Sequence, residues 1–593
     1  MNRGVVVKAR NPKYVLKHLF RYILQFKFQF LIVILFTFLT NLFQLIGPYL
    51  SGLAVDEIDI SKKEVKTIDL ELVLYYCLLM FGFYVISCIL SLIINYLMIN
   101  VSKKIIYQMR KDLFNKLLDL PIKFFDSTKT GDIISRMSYD IDTINTSLSS
   151  DVVAIISSVL TVVGSFIMMI LISRVLILVF AVTLPISFYV IRRRAKLVRP
   201  LFSKRSHKNG ELNAFVEEMT SGHKTIKVYN KEEEIFENFM KINEEVCEAT
   251  YKAEYHGFIN GPIMMGINNV ALSLISIIGA TLYLFNQISL GNINSFITYS
   301  RKFSGPINEV ANIMAEIQSA ISAGERVFTL MDELAEPKDV EDAVELTDVL
   351  GEVRLENVSF GYLENKTIIK NLNVSVKPGE LIAIVGPTGA GKTTLINLLM
   401  RFYDVNEGTI YLDGHDIRNV TRESLRKSYA MVLQDTWLFN GTIFENITYG
   451  NDSATLEDVK RVCKAAMIDE YIEKLPNGYD TYLNEQGSNI SKGQKQLLTI
   501  ARAMLLDANM LILDEATSNV DTMTEIEINK AMTHLMKDKT CFIIAHRLST
   551  IMNADKILVV KDGEIIETGN HEELLKLNKI YKEISESQLK GVK

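Results

Sequence analysis

Cysteine is scarce in this chain. Its 593 residues include five, scattered at Cys77, Cys88, Cys247, Cys463 and Cys541. They form no Cys-x-x-Cys pair, and no neighbouring histidine completes a metal-binding set. This argues against a disulfide scaffold and against a cysteine-based zinc site. We expect reduced structural thiols, as in proteins of reducing compartments.

The chain also has no surplus of positive charge. It contains 64 Lys and Arg against 69 Asp and Glu, which gives a formal net charge of -5. Nucleic-acid-binding domains carry a clustered basic surface, so nucleic acid is not an expected partner. A secretory signal peptide is not expected either, because its apolar core would span about 7–15 residues and end in a small-residue cleavage site. The first apolar helix should therefore stay attached.

Long apolar runs fill the N-terminal half. Four are clear, at 31–46, 72–94, 152–172 and 175–191, and two are weaker, at 258–285 and about 292–323. Runs near the ~20 residues that cross a bilayer predict transmembrane helices. Buried helices of a large soluble core are the alternative, but these are usually shorter and more amphipathic. We expect six spanning helices.

Basic residues are distributed unevenly between the connections. The first 27 residues contain seven Lys and Arg and no acid, whereas 56–71 holds more acid than base. The long connection 102–148 is again basic, and Arg192, Arg193 and Arg194 follow the fourth run. By the positive-inside rule, the N-terminus and both long loops should be cytoplasmic.

The composition changes after Ala323. Residues 331–349 are rich in Asp and Glu and contain Pro337, a composition typical of linkers. From residue 351, short β-branched runs alternate with helical stretches, as in a buried parallel sheet with crossover helices. We predict a membrane domain at 1–330, a linker at 331–350 and an α/β domain at 351–593.

A phosphate-binding loop opens the α/β domain. The residues from Gly386 to Thr393 fit G-x-x-x-x-G-K-[ST], and they lie between an apolar strand and a helical stretch. In such a loop, backbone N–H groups bind phosphate oxygens, Lys392 reaches the terminal phosphates and Thr393 can ligate Mg²⁺. The predicted ATP-binding residues here are Gly386, Pro387, Thr388, Gly389, Ala390, Gly391, Lys392, Thr393 and Thr394.

Two carboxylates end another apolar run. Asp514 and Glu515 follow 510–513, at the carboxyl end of a predicted strand, where open α/β sheets bind ligands. Asp514 is expected to hold Mg²⁺, and Glu515 to act as general base on the attacking water. The alternative is an acidic strand end that faces solvent.

The pentapeptide Ile490-Ser491-Lys492-Gly493-Gln494 lies between these two motifs. It resembles the signature of ABC ATPases, usually Leu-Ser-Gly-Gly-Gln, and departs from it at Lys492. In that family ATP is bound between the phosphate loop of one subunit and the signature of another. The resemblance therefore implies that this chain pairs with a second half-transporter, and that Ser491, Gly493 and Gln494 face the nucleotide of its partner.

The same resemblance implies further roles. Tyr362 matches an aromatic residue that stacks on adenine, and Gln434 matches the glutamine that links Mg²⁺ to the membrane domain. Asp521 is similar to the D-loop aspartate, and His546 to the switch histidine on the γ-phosphate. All four occur in the order that the family shows.

Six membrane helices ahead of one ATPase domain resemble the half-transporter layout of ABC exporters. The family's coupling helices would fall near 120–126 and 219–224, although these could be plain loop connections. The implied function is ATP-driven export of an amphiphilic or hydrophobic substrate, such as a drug-like compound, a lipid or a peptide, across the cell membrane. An ATP-gated channel, a regulatory subunit and a soluble ABC ATPase are the alternatives.

Lys492 leaves the choice of partner open. A side chain at this position could point away from nucleotide in a homodimer with two working sites. Alternatively, the chain resembles the hydrolytically intact half of heterodimeric exporters, because Glu515 and His546 are both present. Gln486 replaces a usual arginine of the family, so coupling to the partner could also differ. The heterodimer is slightly favoured.

Polar residues inside the apolar runs could contact a substrate. They are Asn95, Asn268, Asn269, Arg301, Lys302, Glu309 and Glu316. Intramembrane polar groups usually face a cavity or a neighbouring helix. Helix-to-helix hydrogen bonding and ligand contact are equally compatible with the sequence.

Overall fold

The structure is a computed structural model. It describes residues 11–59, 69–363, 366–433, 436–484, 487, 489–514, 522–545, 551–577 and 579–590. The chain divides into two compact units, which we call the helical unit (1–120 and 128–335) and the α/β unit (121–127 and 336–593).

Helices joined by short turns make up the described part of residues 11–331. In chain order they are α1 Pro12–Leu24, α2 Lys27–Ile58, α3 Leu70–Leu118, α4 Ile122–Ser127, α5 Thr130–Ser135, a π-helical turn Arg136–Asp140, α6 Ile141–Thr146, a π-helical turn Ser147–Asp151, α7 Val152–Ile172, α8 Ile177–Ser221, α9 His223–Tyr229, α10 Glu232–Phe258, α11 Asn260–Leu284 and α12 Leu290–Met331. The helix α4 belongs to the α/β unit.

The six predicted membrane runs correspond to α2, α3, α7, α8, α11 and α12. Among the residues that the structure describes, four helical segments are long and apolar enough to cross a membrane: Lys27–Ile58, Leu70–Leu118, Thr130–Ile172 and Glu232–Leu284. The other two helices are less apolar, because α8 continues into Arg192, Arg193 and Arg194 and α12 carries Arg301 and Lys302.

Local polar contacts fix the starts and the packing of these helices. Asp69 caps α3 by accepting from the Leu72 N–H at 3.1 Å, which satisfies a backbone donor that the helix itself cannot. Between α2 and α7, the Asn41 Oδ1 atom accepts from Ser157 Oγ at 3.0 Å and from Thr161 Oγ1 at 2.8 Å. Such hydrogen bonds help membrane helices to associate. Lipid tails are as apolar as the helix surfaces, so the hydrophobic effect does not drive helices together in a bilayer.

The α/β unit alternates strands and helices as predicted. Its described elements after α12 are β1 Val353–Phe360, β2 Ile369–Val376, β3 Leu381–Val385, α13 Lys392–Leu399, β4 Glu407–Leu412, β5 His415–Asp416, α14 Arg422–Lys427, β6 Tyr429–Val432, β7 Gly441–Thr442, α15 Ile443–Thr448, α16 Leu456–Ala465, α17 Asp469–Glu473, β8 Tyr482–Leu483, α18 Lys492–Leu506, β9 Met510–Asp514, α19 Thr522–Met536, β10 Thr540–Ile544, β11 Lys556–Lys561 and β12 Glu564–Gly569, followed by helices His571–Leu577 and Ile580–Lys590. 

A six-stranded sheet is the centre of this unit. Its order is β12-β11-β3-β10-β9-β6, and a second sheet has the order β2-β1-β4-β5. In the first sheet β11, β3, β10, β9 and β6 are parallel, and β12 is an antiparallel edge. The register pairs Ile544 with both Ile384 and Asp514, so the carboxyl ends of β3, β10 and β9 lie at one edge.

Both faces of this sheet are buried. Successive residues of a strand point to opposite faces, so Ala383, Leu511 and Ile543 pack in one apolar cluster. Ile382, Ile512 and Phe542 pack in the other. Each of the leucine, isoleucine and phenylalanine side chains contributes about 1.5–3 kcal/mol when fully buried. Packing on both faces therefore fixes the position of the carboxyl end of β3, where the phosphate loop begins.

The acidic segment that resembles a linker packs on the α/β unit. Arg422 Nη1 donates to Asp339 Oδ1 at 2.9 Å and to the Pro337 carbonyl at 2.8 Å. Arg426 forms an ion pair with Glu336. Glu336 and Asp339 therefore have arginine partners. The linker boundaries themselves stay a prediction.

Candidate nucleotide site

The phosphate loop connects β3 to α13 through glycines that its path requires. A Cβ at Gly386 would lie 2.1 Å from the Val560 carbonyl oxygen, so no side chain fits there. Gly391 has φ +105° and is the residue before the first turn of α13, where a side chain would be strained. The loop therefore brings its backbone N–H groups and a helix N-terminus to one place, which suits an anionic phosphate.

Lys392 lies at the base of this loop and is 8% exposed. Its Nζ atom donates to the Gly386 carbonyl at 2.7 Å and to the Pro387 carbonyl at 3.1 Å. Desolvation lowers the pKa of Lys392, and the nearby Asp514 carboxylate opposes that shift. An ammonium group held between loop carbonyls and a carboxylate is positioned to bind terminal phosphates.

The two threonines after Lys392 differ. Thr393 is exposed at the start of α13. Thr394 is buried, and its Oγ1 atom accepts from the Tyr362 hydroxyl at 3.3 Å. The hydroxyl of Thr394 is thus engaged within the protein, whereas that of Thr393 faces outward.

Tyr362 is held beside α13 by aromatic and polar contacts. Its ring meets those of Phe360 and Tyr403 edge-on, with centroids 5.0 and 4.9 Å away. Asn397 Nδ2 donates to its hydroxyl at 3.3 Å. These contacts fix the ring next to the phosphate loop, where an adenine-stacking residue is needed.

Asp514 ends β9 at the same sheet edge. Its carboxylate opposes the lowering of the Lys392 pKa, so the predicted metal ligand lies near the lysine that is predicted to bind phosphate. Gln434, Glu515, Asp521 and His546 lie outside the described residues. Their roles stay predictions.

The signature pentapeptide forms the start of α18. Ser491 precedes the helix, and its Oγ accepts from the Gln494 N–H at 3.2 Å, while the Ser491 N–H donates to Gln494 Oε1 at 2.8 Å. This reciprocal capping box satisfies two backbone donors. Gly493 is buried, and Lys492 is exposed in the first turn.

A contact that the sequence did not reveal involves Tyr403. Its hydroxyl donates to Asp126 Oδ2 of α4 at 2.5 Å, and burial together with Asp126 raises the pKa of Tyr403. Helix α4 matches the predicted coupling position at 120–126. The only sequence signal for the partner of Asp126 is that Tyr403 is a tyrosine near the phosphate loop.

Comparison with known proteins identifies the family. A family model described as the ABC transporter transmembrane region matches residues 30–307, and one described as ABC transporter matches residues 369–518. The chain is 40% identical over 582 residues to the uncharacterized ABC transporter ATP-binding protein YfiC of Bacillus subtilis (strain 168), covering 98% of this chain and 95% of that protein.

Two further similarities agree. The chain is 43% identical over 479 residues to the fatty acid ABC transporter ATP-binding/permease protein of Mycobacterium tuberculosis (strain CDC 1551 / Oshkosh), covering 81% of this chain and 76% of that protein. A solved structure of a bacterial Atm1-family ABC exporter with ATP bound superposes with a TM-score of 0.75 at 28% identity, covering 96% of this chain and 98% of that one. The chain therefore belongs to the ABC transporters, as a membrane-embedded half-transporter of exporter type that works as a dimer and couples its ATPase to transport.

Proposed function

We propose that this half-transporter exports an amphiphilic or hydrophobic substrate across the cell membrane by alternating access. The observation that carries the proposal is the convergence of Lys392, Asp514 and the glycine-constrained phosphate loop at one sheet edge, in a chain that also matches the ABC transporter transmembrane region. ATP binding at this edge closes two α/β units, and hydrolysis reopens them. The N-terminus and the α/β unit lie in the cytoplasm.

The residues at the sheet edge suit a nucleotide with its metal ion. Lys392 and the loop N–H groups bind the phosphates, and Tyr362 stacks on adenine. Thr393, Gln434 and Asp514 offer the hydroxyl, amide and carboxylate oxygens that Mg²⁺ takes as ligands. The ion, when bound, neutralises charge on the terminal phosphates.

Glu515 carries the hydrolytic step in this proposal. Its carboxylate accepts a proton from the attacking water while the water oxygen bonds to the γ-phosphorus and the bond to the ADP oxygen breaks. His546 donates to the γ-phosphate. Asp521 and the signature residues Ser491, Gly493 and Gln494 complete the site across the dimer, using the N-terminus of α18.

For the partner, we propose a second half-transporter of different sequence. Lys492 supports this, because an exposed cation in the first turn of α18 would enter the nucleotide site of the partner. The chain expressed alone and reconstituted in lipid should then show weak ATPase activity. Robust cooperative activity without a partner would establish the homodimer instead.

The proposal is tested by Glu515→Gln in reconstituted vesicles. We expect ATP hydrolysis to fall by about 10²–10⁴-fold, the usual contribution of a general base, with ATP binding retained and closed dimers accumulating. Glu527→Gln, in α19, is the matched control and should keep wild-type activity. Persistent hydrolysis in Glu515→Gln would reject the assigned base, and ATP-independent equilibration of substrate would reject export.

A further inference from the structure

The helical unit contains a cavity among α8, α11 and α12. Its volume is about 230 Å³. Apolar side chains form most of its wall, including Phe180, Phe188, Met264 and Ala271, and none of the described side chains that line it is charged. Drug-sized molecules occupy pockets of about 300–1,000 Å³. A cavity of about 150 Å³ with similar walls binds benzene. The size therefore suits a segment of acyl chain rather than a multi-ring compound.

Three hydroxyl groups line the cavity, and each is satisfied within its own helix. Thr183 Oγ1 donates to the Val179 carbonyl at 3.0 Å, and Ser187 Oγ donates to the Thr183 carbonyl at 2.9 Å. Ser304 Oγ donates to the Ser300 carbonyl at 3.0 Å. These groups do not need a ligand as hydrogen-bond acceptor.

Asn268 differs from these hydroxyls. Its half-buried side chain lines the cavity, and no hydrogen bond joins its amide to the described part of the chain. An amide can donate two hydrogen bonds and accept two, and burying it without partners costs free energy. The cavity thus combines an apolar wall with one uncommitted polar group.

The cytoplasmic end of the cavity adjoins a basic cluster. Ile191 lines the cavity and is followed by Arg192 and Arg193, both exposed. Arg194 is already engaged, because it donates to Asn260 Oδ1 at 2.9 Å and to the His256 carbonyl at 2.6 Å. Arg192 directly follows Ile191 and is exposed, so its guanidinium group is available beside the end of the cavity, where an anionic headgroup would be attracted.

We propose that this cavity binds a single-chain anionic amphiphile whose acyl chain carries a polar group, and this rests on the proposed export function. The acyl chain lies against the apolar wall, and the headgroup pairs with Arg192. Asn260 accepts a hydrogen bond from Arg194 and therefore marks the level of the basic cluster on α11. Asn268 lies eight residues farther along α11, about 12 Å at the helical rise. Its amide therefore meets a hydroxyl in the middle of the chain, not the headgroup.

A competition binding assay tests the proposed ligand. The transporter is placed in phosphatidylcholine nanodiscs, and each competitor displaces bound tritiated octadecanoate. We expect 12-hydroxyoctadecanoate to bind about tenfold more tightly than octadecanoate, because its hydroxyl gives the half-buried Asn268 amide a hydrogen-bond partner. Octadecyltrimethylammonium should bind at least tenfold more weakly than octadecanoate. Equal affinities for the two carboxylates, or preference for the cationic headgroup, would overturn the assignment.

Variants locate the site. Asn268→Leu should remove the preference for the hydroxylated chain while octadecanoate still binds, and Asn269→Leu, one residue away and exposed, should keep the preference. Ala271→Phe fills the cavity and should weaken both carboxylates about tenfold, unlike Val270→Phe on the exposed face. If Ala271→Phe does not fold, Asn268→Leu alone decides.

The export proposal can fail separately. If wild-type vesicles accumulate 12-hydroxyoctadecanoate with ATP and Asn268→Leu transports it equally well, export stands and the cavity assignment falls. If binding follows the expected pattern but ATP drives no transport of any amphiphile, the cavity stands and export falls.

Discussion

The nucleotide site and the membrane cavity use polar groups in opposite ways. At the phosphate loop, Lys392 donates to two backbone carbonyls, and a side chain at Gly386 would collide with a third. In the cavity, one amide faces an apolar wall. A site for one fixed ligand is built from many constrained atoms, whereas a site for amphiphiles requires space and few fixed contacts.

The largest expected effect separates the two sites. Lys392→Ala removes the ammonium group from the phosphates and should lower ATPase activity by at least about 10²-fold, the usual cost of losing one charge-stabilising group. Octadecanoate binding in the cavity should be unchanged. Lys427→Ala, an exposed lysine of the same unit, is the control for both assays. Loss of fatty-acid binding in Lys392→Ala would contradict the independence of the sites.

Glycine substitutions sharpen the same contrast. A Cβ at Gly386 meets the Val560 carbonyl at 2.1 Å, whereas one at Gly266 of α11 meets nothing within 4 Å. Gly386→Ala should abolish ATP binding, because the backbone must shift. Gly266→Ala should be neutral, or stabilising by up to about 1 kcal/mol through helix propensity. Nucleotide binding and the thermal midpoint measure the two effects, and equal losses would refute the distinction.

Ion pairs in the helical unit offer a third test. Asp140 is 1% exposed, and Arg326 donates to both of its oxygens. Arg326→Gln leaves a buried carboxylate unpaired and should cost about 3 kcal/mol. Arg110→Gln breaks the exposed pair with Asp142 and should cost at most about 1 kcal/mol. Thermal unfolding in detergent compares them, and similar midpoints would show that burial of Asp140 is unimportant.

The smallest effect concerns the contact between Tyr403 and Asp126. Tyr403→Phe removes one hydrogen bond to α4, which contributes roughly 1.5–3 kcal/mol when the acceptor is charged. Basal ATPase activity should change less than twofold, while its stimulation by substrate should fall by about half. Tyr411→Phe, on β4, serves as control. If stimulation is unaffected, this contact does not transmit substrate binding.

Much of the fold could be predicted because its signals are local in sequence. Apolar runs of near-membrane length predicted the six long helices, and the sequence motif between β3 and α13 predicted the phosphate loop. The pairing of Glu336 with Arg426 could not be predicted, since it joins residues 90 apart whose approach depends on the finished fold. An acidic stretch was therefore interpreted as a linker.

The membrane site was harder to predict for a related reason. The sequence singled out both Asn268 and Asn269, but a shift of one residue turns a helix by about 100°, and only packing decides which amide faces the cavity. Tyr403 was missed because no motif marks it. Its importance depends on its neighbours Tyr362 and Asp126 in space.

The capping box at Ser491 and Gln494 limits which positions of the signature can change. Both residues hold the first turn of α18 in place, so replacing either would disturb the helix together with any contact to the partner's nucleotide. Lys492 makes no such contribution, since its side chain is exposed. Position 492 can therefore vary while the helix stays folded, which makes it the place in the signature where two halves of a transporter can diverge.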